Sequence, residues 1–304
     1  MGTRWRVCVA AGPRLPLPPL HDAVQATLDR IVAQMSTWEA GSDISRYNRA
    51  EAGSWQALPR PFEQVLRCAL EVAEASDGAY DPTVGALVEL WGFGAGETGP
   101  RVPDAAGIDA LRARVGWRRI TLREQPSAVL QPGGVALDLS AIAKGHGVDA
   151  VVACLRERGI DDALVDVGGE LFGCGRKPDG APWRVLVEAS PDAADDAPCV
   201  LSLDGFAVAT SGVHWHRFER AGRTYAHTLD PRSGTPVERA PAAVTVIADD
   251  AMRADAWATA LTVMGFDAGF DFARAHGIAA RFVAADASGD GIRMTPAFAA
   301  RLTS

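Results

Sequence analysis

Residues 136–149, with the sequence ALDLSAIAKGHGVD, constrain the fold of this chain more than any other segment. The apolar residues 135–139 that lead into it are typical of a short strand and carry one acid, Asp138. Ser140 follows at the position expected for a helix N-cap. A serine hydroxyl suits this position because it accepts hydrogen bonds from the free N–H groups of the first helical turn. Apolar residues then recur at helical spacing until Gly159, which predicts the helix end. The segment therefore predicts a strand, a turn and a helix.

Two glycines, Gly145 and Gly147, fall in the first turns of this predicted helix. Glycine costs a helix about 1 kcal/mol relative to alanine, so the pair indicates a requirement other than helicity. One explanation is close approach of the backbone to a ligand. Lys144 precedes the glycines, and the free N–H groups and dipole of a helix start favour an anion such as phosphate. The other explanation is a helix whose glycines serve packing and whose lysine faces water, and this segment alone leaves both open.

The composition is that of a globular protein with a hydrophobic core. Of the 304 residues, 48% are hydrophobic and 22% are charged. The net charge of −8, without a basic stripe, argues against a nucleic-acid-binding surface, and no apolar run reaches the length of a membrane span. Five widely spaced cysteines without a C-x-x-C pair are typical of buried thiols in a reducing compartment.

The first ten residues, MGTRWRVCVA, are typical of a strand and lack both the apolar core of a secretory signal and a lipoprotein-type cysteine. The sequence as written therefore predicts a cytoplasmic protein without a transmembrane segment. An export segment upstream of residue 1 would instead place the protein in the periplasm with a membrane anchor.

Strand-like and helical segments mix along the chain without regular βα alternation. This pattern predicts an α+β fold of mixed or antiparallel sheets with packed helices. Two strand-like runs, residues 200–203 and 206–209, flank Asp204 and Gly205 and predict a β-hairpin. Trp38 lies among turn residues, where it either covers a local core, the default expectation, or forms a flat wall for a ring-shaped ligand.

Asp255 and Thr259 lie at positions i and i+4 of a predicted helix and project from the same face. A carboxylate and a hydroxyl, completed by a backbone carbonyl and phosphate oxygens, suit Mg²⁺. The alternative is a capping aspartate and a threonine that faces the core. His214 and His216, with His227 further on, raise the possibility of zinc, but no cysteine or second acid is adjacent, which disfavours a tetrahedral site.

Seven segments together resemble the ApbE family, the flavin transferases that move FMN from FAD onto a protein. They occur in the family's order between residues 1 and 265, and they are MGTRW, MSTWEAGSDISRYN, GAYDPTVGALVELWGFG, LDLSAIAKGHGVD, VDVGGE, ATSG followed by YAHTLDPRSGTP, and ADAWATALTVMG. The resemblance implies one flavin transferase domain over residues 1–304, with two lobes and the FAD site between them.

The resemblance also implies which residues form the site. FAD-contacting positions fall on Met1, Trp38, Ala79, Tyr80, Asp81, Asp138, Lys144 and Thr228. The metal positions, for Mg²⁺, fall on Asp255, Thr259 and the carbonyl of Ala141, and His227 falls at the histidine proposed to assist proton removal. The implied partner is an acceptor flavoprotein that offers a Thr or Ser hydroxyl, and AMP is the implied product that leaves.

The sequence departs from the family pattern at several points. Ser140 and Ala141 replace a common Gly-Gly, and Ala258 stands where some members have a further acid on the metal side. Residues 213–223, VHWHRFERAGR, follow ATSG where relatives carry an acid or Asn before a Tyr. Two alternative functions use the same residues: a hydrolase that cleaves FAD to FMN and AMP, and a protein that binds FAD without turnover.

Overall fold

The computed structural model describes residues 3–12, 14–96, 99–187, 199–212, 217–285 and 291–302. Its helices are α1 (Leu17–Met35), α2 (Asp43–Asn48), α3 (Arg60–Ala75), α4 (Gly85–Trp91), α5 (Ala105–Arg112), α6 (Ala143–Arg156), α7 (Ala251–Met264), α8 (Phe266–Ala275) and α9 (Pro296–Leu302). Its strands are β1 (Trp5–Val9), β2 (Trp55–Ala57), β3 (Thr121–Glu124), β4 (Ser127–Leu130), β5 (Ala163–Val167), β6 (Glu170–Cys174), β7 (Trp183–Val187), β8 (Cys199–Leu203), β9 (Phe206–Gly212), β10 (Arg217–Arg220), β11 (Arg223–Ala226), β12 (Leu229–Asp230), β13 (Thr235–Pro236), β14 (Ala243–Ala248), β15 (Ala279–Val283) and β16 (Ile292–Met294).

The chain divides into two units, each built from separate stretches of sequence. The seven-stranded unit comprises residues 2–29, 144–212 and 239–304, and the three-stranded unit comprises residues 30–143 and 213–238 together with residue 1. Helices and antiparallel sheets occur in both, so the predicted α+β class is confirmed. In the part of the chain that the structure describes, no helix is both long enough and apolar enough to cross a membrane.

The seven-stranded unit is organised on one antiparallel sheet in the order β1-β5-β6-β9-β14-β15-β16. Helix α7 packs on β9 and β14 of this sheet, and α8 packs on α7 and β15. Alanines make up much of α7 and are buried, and their small side chains let its backbone approach the sheet closely. Asp255 is also on α7, so this packing holds the helix that carries the carboxylate.

The predicted hairpin around Asp204 and Gly205 is wrong. Strand β8 pairs with β7, whereas β9 pairs with β6 and β14, so the turn joins two different sheets. The physical reason lies in burial: the first four residues of β9 are all buried, as in a central strand, while β8 has the exposed Val200 and the half-buried Ser202 between its buried residues.

The three-stranded unit contains the sheet β2-β4-β3, helices α2 to α5, and the small pairs β10-β11 and β12-β13. Helix α3 forms because Phe62, Val65, Leu66 and Ala69 recur at helical spacing and bury one face. A second apolar cluster gathers around Trp91 of α4, whose indole Nε1 donates to the carbonyl of Gly234 at 2.9 Å. This bond ties α4 to the loop between β12 and β13.

The predicted strand at residues 135–139 is not formed. This segment is extended and makes one parallel bridge, from Ala136 to Val84, and the N–H of Asp138 donates to the carbonyl of Pro82 at 2.8 Å. The prediction that Ser140 caps the helix is also wrong, because α6 begins at Ala143. The side chain of Asp138 accepts a hydrogen bond from the N–H of Ser140 at 2.7 Å, so the aspartate starts the turn two residues earlier.

Candidate functional site

The centre of the candidate site is Lys144, in the first turn of α6. Its Nζ donates to Oε1 of Glu170, at the start of β6, and lies 3.4 Å from Oδ1 of Asp255 on α7. The side chains of Glu170 and Asp255 are 2% and 6% exposed, whereas that of Lys144 is 31% exposed. Two buried carboxylates therefore face one ammonium group that still reaches solvent.

The ionisation of these groups follows from their burial and mutual distances. Burial alone lowers the pKa of Lys144, but the Asp255 and Glu170 carboxylates outweigh it and raise that pKa to about 12, so the lysine is charged at neutral pH. Burial and the neighbouring Asp255 carboxylate raise the pKa of Glu170, against the opposite effect of Lys144. Among the described residues, Oε2 of Glu170 is fully buried and has no hydrogen-bond partner.

A turn of two glycines places Glu170 in this cluster. Gly168 and Gly169 join β5 to β6 with φ angles of +68° and +101°, a combination that residues with a side chain rarely adopt. Glu170 pairs with Val167 across the turn. Because strand side chains alternate between faces, this register decides on which side of the sheet the Glu170 carboxylate lies.

The start of α6 contacts the start of α7 through Gly145. A methyl group on Gly145 would overlap the carbonyl oxygen of Ala251, so only glycine lets the two helices approach this closely. The N–H of Gly145 donates to Oδ2 of Asp255 at 3.1 Å. Gly145 therefore serves helix packing, the second of the two explanations that the sequence left open, and the anion on its N–H group is a carboxylate of the chain itself.

Asp149, on the next turn of α6, binds the other side of the same junction. Its Oδ1 accepts from the N–H of Ala251 at 2.8 Å and its Oδ2 from the N–H of Met252 at 2.9 Å. Burial raises the pKa of Asp149 to about 6, although these two N–H groups lower it. Asp250 is the N-cap residue of α7, and its side chain accepts a hydrogen bond from the N–H of Arg253 at 2.7 Å.

The predicted metal positions lie on two helices or beside them. Asp255 and Thr259 lie one turn apart on α7, and Ala141 lies in the turn that precedes α6. Among the described residues, which do not include His214 and His216, no three or more His, Cys, Asp or Glu side chains form a group placed to hold a metal ion. The unpartnered Oε2 of Glu170 and the excess of carboxylates over ammonium groups fit an additional hard cation such as Mg²⁺.

Asp81, in the three-stranded unit, has a complete set of partners. Its Oδ1 accepts from the N–H and the hydroxyl of Thr83 at 2.8 and 2.6 Å, and its Oδ2 accepts from the N–H of Trp117 at 3.0 Å. Burial raises the pKa of Asp81, partly offset by these hydrogen bonds. The neighbouring Ala79 and Tyr80 are buried as well, with 1% and 4% of their surfaces exposed.

Trp38 lies between α1 and α2 and is 70% exposed. The expectation that it covers a local core is therefore wrong, because a covering side chain would itself be buried. An exposed indole is available as a flat wall for a ring, which was the other interpretation.

His227 and Thr228 lie between β11 and β12 of the three-stranded unit. The His227 ring is half-buried and meets the ring of Phe93 edge-on, with 6.5 Å between centroids. Thr228 is buried, and its carbonyl accepts from the N–H of Val237 at 3.0 Å. Of the other candidates, Met1, His214 and His216 lie outside the described residues.

Sequence reasoning singled out neither Glu170 nor Asp149. A signal for each was present: Glu170 follows a Gly-Gly pair at the end of an apolar strand, and Asp149 is the acid that closes the motif around Gly145. Neither signal indicates which residue the acid contacts, because Glu170 and Asp149 bond to residues far away in the sequence.

The model of the ApbE family matches residues 1–282 of this chain. The solved apo structure of flavinyl transferase ApbE from Pseudomonas stutzeri is 37% identical, with a TM-score of 0.89 over 99% of this chain and 97% of that one. Flavin transferase ApbE from Vibrio cholerae is 31% identical, with a TM-score of 0.90 over 99% and 96% of the two chains. The FAD:protein FMN transferase of Escherichia coli (strain K12) is 31% identical over 307 residues, which cover 100% of this chain and 88% of the relative.

Proposed function

The chain belongs to the ApbE family, and from this premise we propose that it transfers the FMN moiety of FAD to a Thr or Ser hydroxyl of an acceptor protein. In this reaction the hydroxyl oxygen forms a bond to the FMN phosphorus, and the bond from that phosphorus to the bridging oxygen breaks. FMN then remains on the protein as a phosphoester, AMP leaves, and the hydroxyl proton passes to a base.

The observation that carries the proposal is the cluster of Lys144, Glu170 and Asp255. Breaking a pyrophosphate develops negative charge on phosphate oxygens, and a positioned ammonium stabilises that charge. Lys144 remains charged, its carboxylate partners hold it in place, and its side chain reaches solvent, where a phosphate can approach.

The oxygen donors at the proposed metal positions support Mg²⁺ as the cofactor. Asp255, Thr259 and the carbonyl of Ala141 are the proposed ligands, and all offer the oxygen atoms that Mg²⁺ prefers. When bound, Mg²⁺ neutralises charge on the pyrophosphate and lowers the barrier to its cleavage. Lys144 and the N–H of Gly145 both donate to the Asp255 carboxylate.

Other residues are proposed to bind FAD or to move the proton. Trp38 presents an exposed indole on which a flat ring can stack. His227 is half-buried and is proposed as the base, since a neutral imidazole accepts a proton near pH 7. The remaining proposed contacts to FAD are Met1, Ala79, Tyr80, Asp81, Asp138 and Thr228.

The test is incubation of the purified protein with FAD, Mg²⁺ and candidate acceptor proteins, followed by intact-mass measurement. We expect an FMN-sized increase in the mass of an acceptor, lost when its target Thr or Ser is changed to Ala or Val. The control variant of this chain is Asp271→Asn, which removes an exposed carboxylate of α8 that is paired with Arg274 in the same unit. It should form the adduct as the wild type does.

The same reaction without an acceptor separates the alternatives. Rapid release of AMP from FAD would identify a hydrolase, and tight FAD binding with neither AMP nor adduct in any mixture would identify a binding protein. Either result would contradict the proposal.

A further inference from the structure

Helices α6 and α7 bind each other's first turns reciprocally. Asp149 of α6 accepts from the N–H groups of Ala251 and Met252 at 2.8 and 2.9 Å, and Asp255 of α7 accepts from the N–H of Gly145 at 3.1 Å. The first N–H groups of a helix have no partner within it, so each helix here receives its missing acceptor from the other. We call these three hydrogen bonds the helix clasp.

The spacing within each helix makes the clasp possible. Asp149 lies four residues after Gly145, and Asp255 lies four residues after Ala251. Each helix therefore carries an acceptor one turn after the group that contacts its neighbour, on the same face. The absence of a side chain on Gly145 brings the two backbones close enough for both sets of bonds.

We propose that Asp149 is a positioning residue for the transfer reaction: through the clasp it fixes α7 against α6, and so fixes Asp255 and Thr259 beside Lys144. This inference rests on the proposed function. Asp149 donates or accepts nothing at the reacting atoms in this scheme. Its carboxylate acts through Ala251 and Met252, at the start of the helix that carries the proposed metal ligands.

The chain offers a matched control in Asp250. This residue also accepts from an N–H group in the first turn of α7, that of Arg253 at 2.7 Å, and it precedes the same helix. Loss of either aspartate should weaken the helix start, since Asp149 accepts from two of its N–H groups and Asp250 from one. The bonds to α6 distinguish them: Asp149 is on α6, whereas the Asp250 bond stays within the start of α7.

The first experiment measures amide hydrogen exchange in the full protein without FAD or metal. We expect Asp149→Ala to speed exchange at the Gly145 amide by at least about 10-fold relative to Asp250→Ala, because only Asp149 holds the far end of the clasp. The Gly145 amide donates to Asp255 and not to Asp149. Faster exchange at this amide would therefore show that loss of Asp149 weakens the bond between Gly145 and Asp255. Equal exchange at Gly145 in the two variants would overturn the proposal.

The second experiment measures the Mg²⁺ concentration for half-maximal FMN transfer. We expect Asp149→Ala to raise this concentration by roughly 10- to 100-fold, as is typical when a group that orients a metal ligand is lost, with the rate recovered at high Mg²⁺. Asp250→Ala should leave it unchanged. An unchanged Mg²⁺ dependence in Asp149→Ala would contradict a positioning role.

A milder variant and the wild type distinguish failure of the clasp from failure of the proposed function. Asp149→Asn retains one acceptor oxygen and should give an intermediate shift in both measurements. This variant tests the clasp even if Asp149→Ala does not fold. Wild-type values in a folded Asp149→Asn protein would count against the clasp. Absence of any FMN adduct with the wild type would defeat the proposed function, while the exchange measurement, which needs no FAD, would still test the clasp.

Discussion

Two buried acids of this chain, Asp81 and Glu170, differ in how completely they are bonded. Asp81 in the three-stranded unit receives three hydrogen bonds, from Thr83 and Trp117, spread over both of its oxygens. Glu170 in the seven-stranded unit bonds Lys144 with one oxygen, while the other has no partner among the residues that the structure describes. Both acids lie in segments that resemble the family.

The two acids therefore differ in whether the chain itself satisfies their hydrogen bonding. A buried carboxylate costs free energy unless its oxygens are bonded, and Asp81 meets that condition entirely with groups of its own unit. Around Glu170 the condition is unmet, and the second carboxylate, Asp255, adds to the unbalanced charge. Such a cost persists in a protein where a substrate or an ion supplies the missing partner.

Among the variants that test this contrast, Asp255→Asn is expected to have the largest effect on FMN transfer. The variant should fold with a melting temperature near that of the wild type but form no detectable FMN adduct, because several kcal/mol of charge stabilisation depend on the metal ligand. The measurement is adduct formation at saturating FAD and Mg²⁺ alongside thermal unfolding, with Asp271→Asn as the control. Turnover close to that of the wild type would remove Asp255 from the site.

His227→Asn tests whether the three-stranded unit contributes chemistry as well as structure. If His227 is the base, the variant should bind FAD normally and transfer FMN roughly 10²- to 10⁴-fold more slowly. Wild-type transfer should also fall as the pH drops through the range in which histidine protonates, because imidazolium cannot accept the hydroxyl proton.

Single-turnover transfer with pre-bound FAD, measured against pH for both proteins, distinguishes this role from a structural one. A structural histidine would lower the melting temperature and the FAD affinity together and leave the shape of the pH profile unchanged. Asp255 is a rival base, and an undiminished rate in His227→Asn would favour it.

Asp81→Ala should lower stability more than it lowers the rate of transfer. Removing the carboxylate leaves the buried N–H of Thr83 and that of Trp117 without an acceptor, and each such loss costs about 1–3 kcal/mol. We expect the free energy of unfolding to fall by about 3 kcal/mol. Urea denaturation measures this fall, with the exposed Asp109→Ala on α5 as the control.

The opposite outcome for Asp81→Ala would break the comparison. Unchanged stability combined with weakened FAD binding would show that the three hydrogen bonds of Asp81 contribute little to the fold and that its main role is the proposed contact to FAD.

His146, a buried base on α6, gives the smallest expected effect. Burial lowers its pKa to about 4, so the unfolded chain takes up a proton as the pH falls below about 6.5 while the folded protein does not. The contribution of His146 to stability should therefore fall with decreasing pH between about 6.5 and 4, by about 2 kcal/mol at pH 5.

His146→Gln should remove this part of the pH dependence. The measurement is urea denaturation of wild type and variant at pH 7 and pH 5, and the quantity of interest is the difference between the two pH-dependent losses. Parallel losses would mean that the folded protein protonates His146 as readily as the unfolded chain does.

The sequence predicted what depends on neighbours along the chain. The α+β class and helix α7 with Asp255 and Thr259 one turn apart follow from periodicity and spacing, and the structure confirms the fold class and the helix. Lys144 was also placed correctly near a helix start.

What the sequence could not predict depends on partners far along the chain. The hairpin around Asp204 fails because β9 gains more by burial between β6 and β14 than by pairing with β8. Glu170 and Asp149 remained unnoticed because their roles come from contacts with α6 and α7 respectively, which no local pattern encodes.

The strand order of the seven-stranded sheet has a consequence for synthesis on the ribosome. The strands lie side by side in the order in which they leave the exit tunnel, so each new strand can add to the open edge of a nascent sheet, and the chain never has to insert a late strand between two early ones. Between β1 and β5 the ribosome must first deliver residues 10–162, which delays the first pairing. Until β5 arrives, β1 lacks its partner strand, and an unpaired strand edge is open to pairing with other chains.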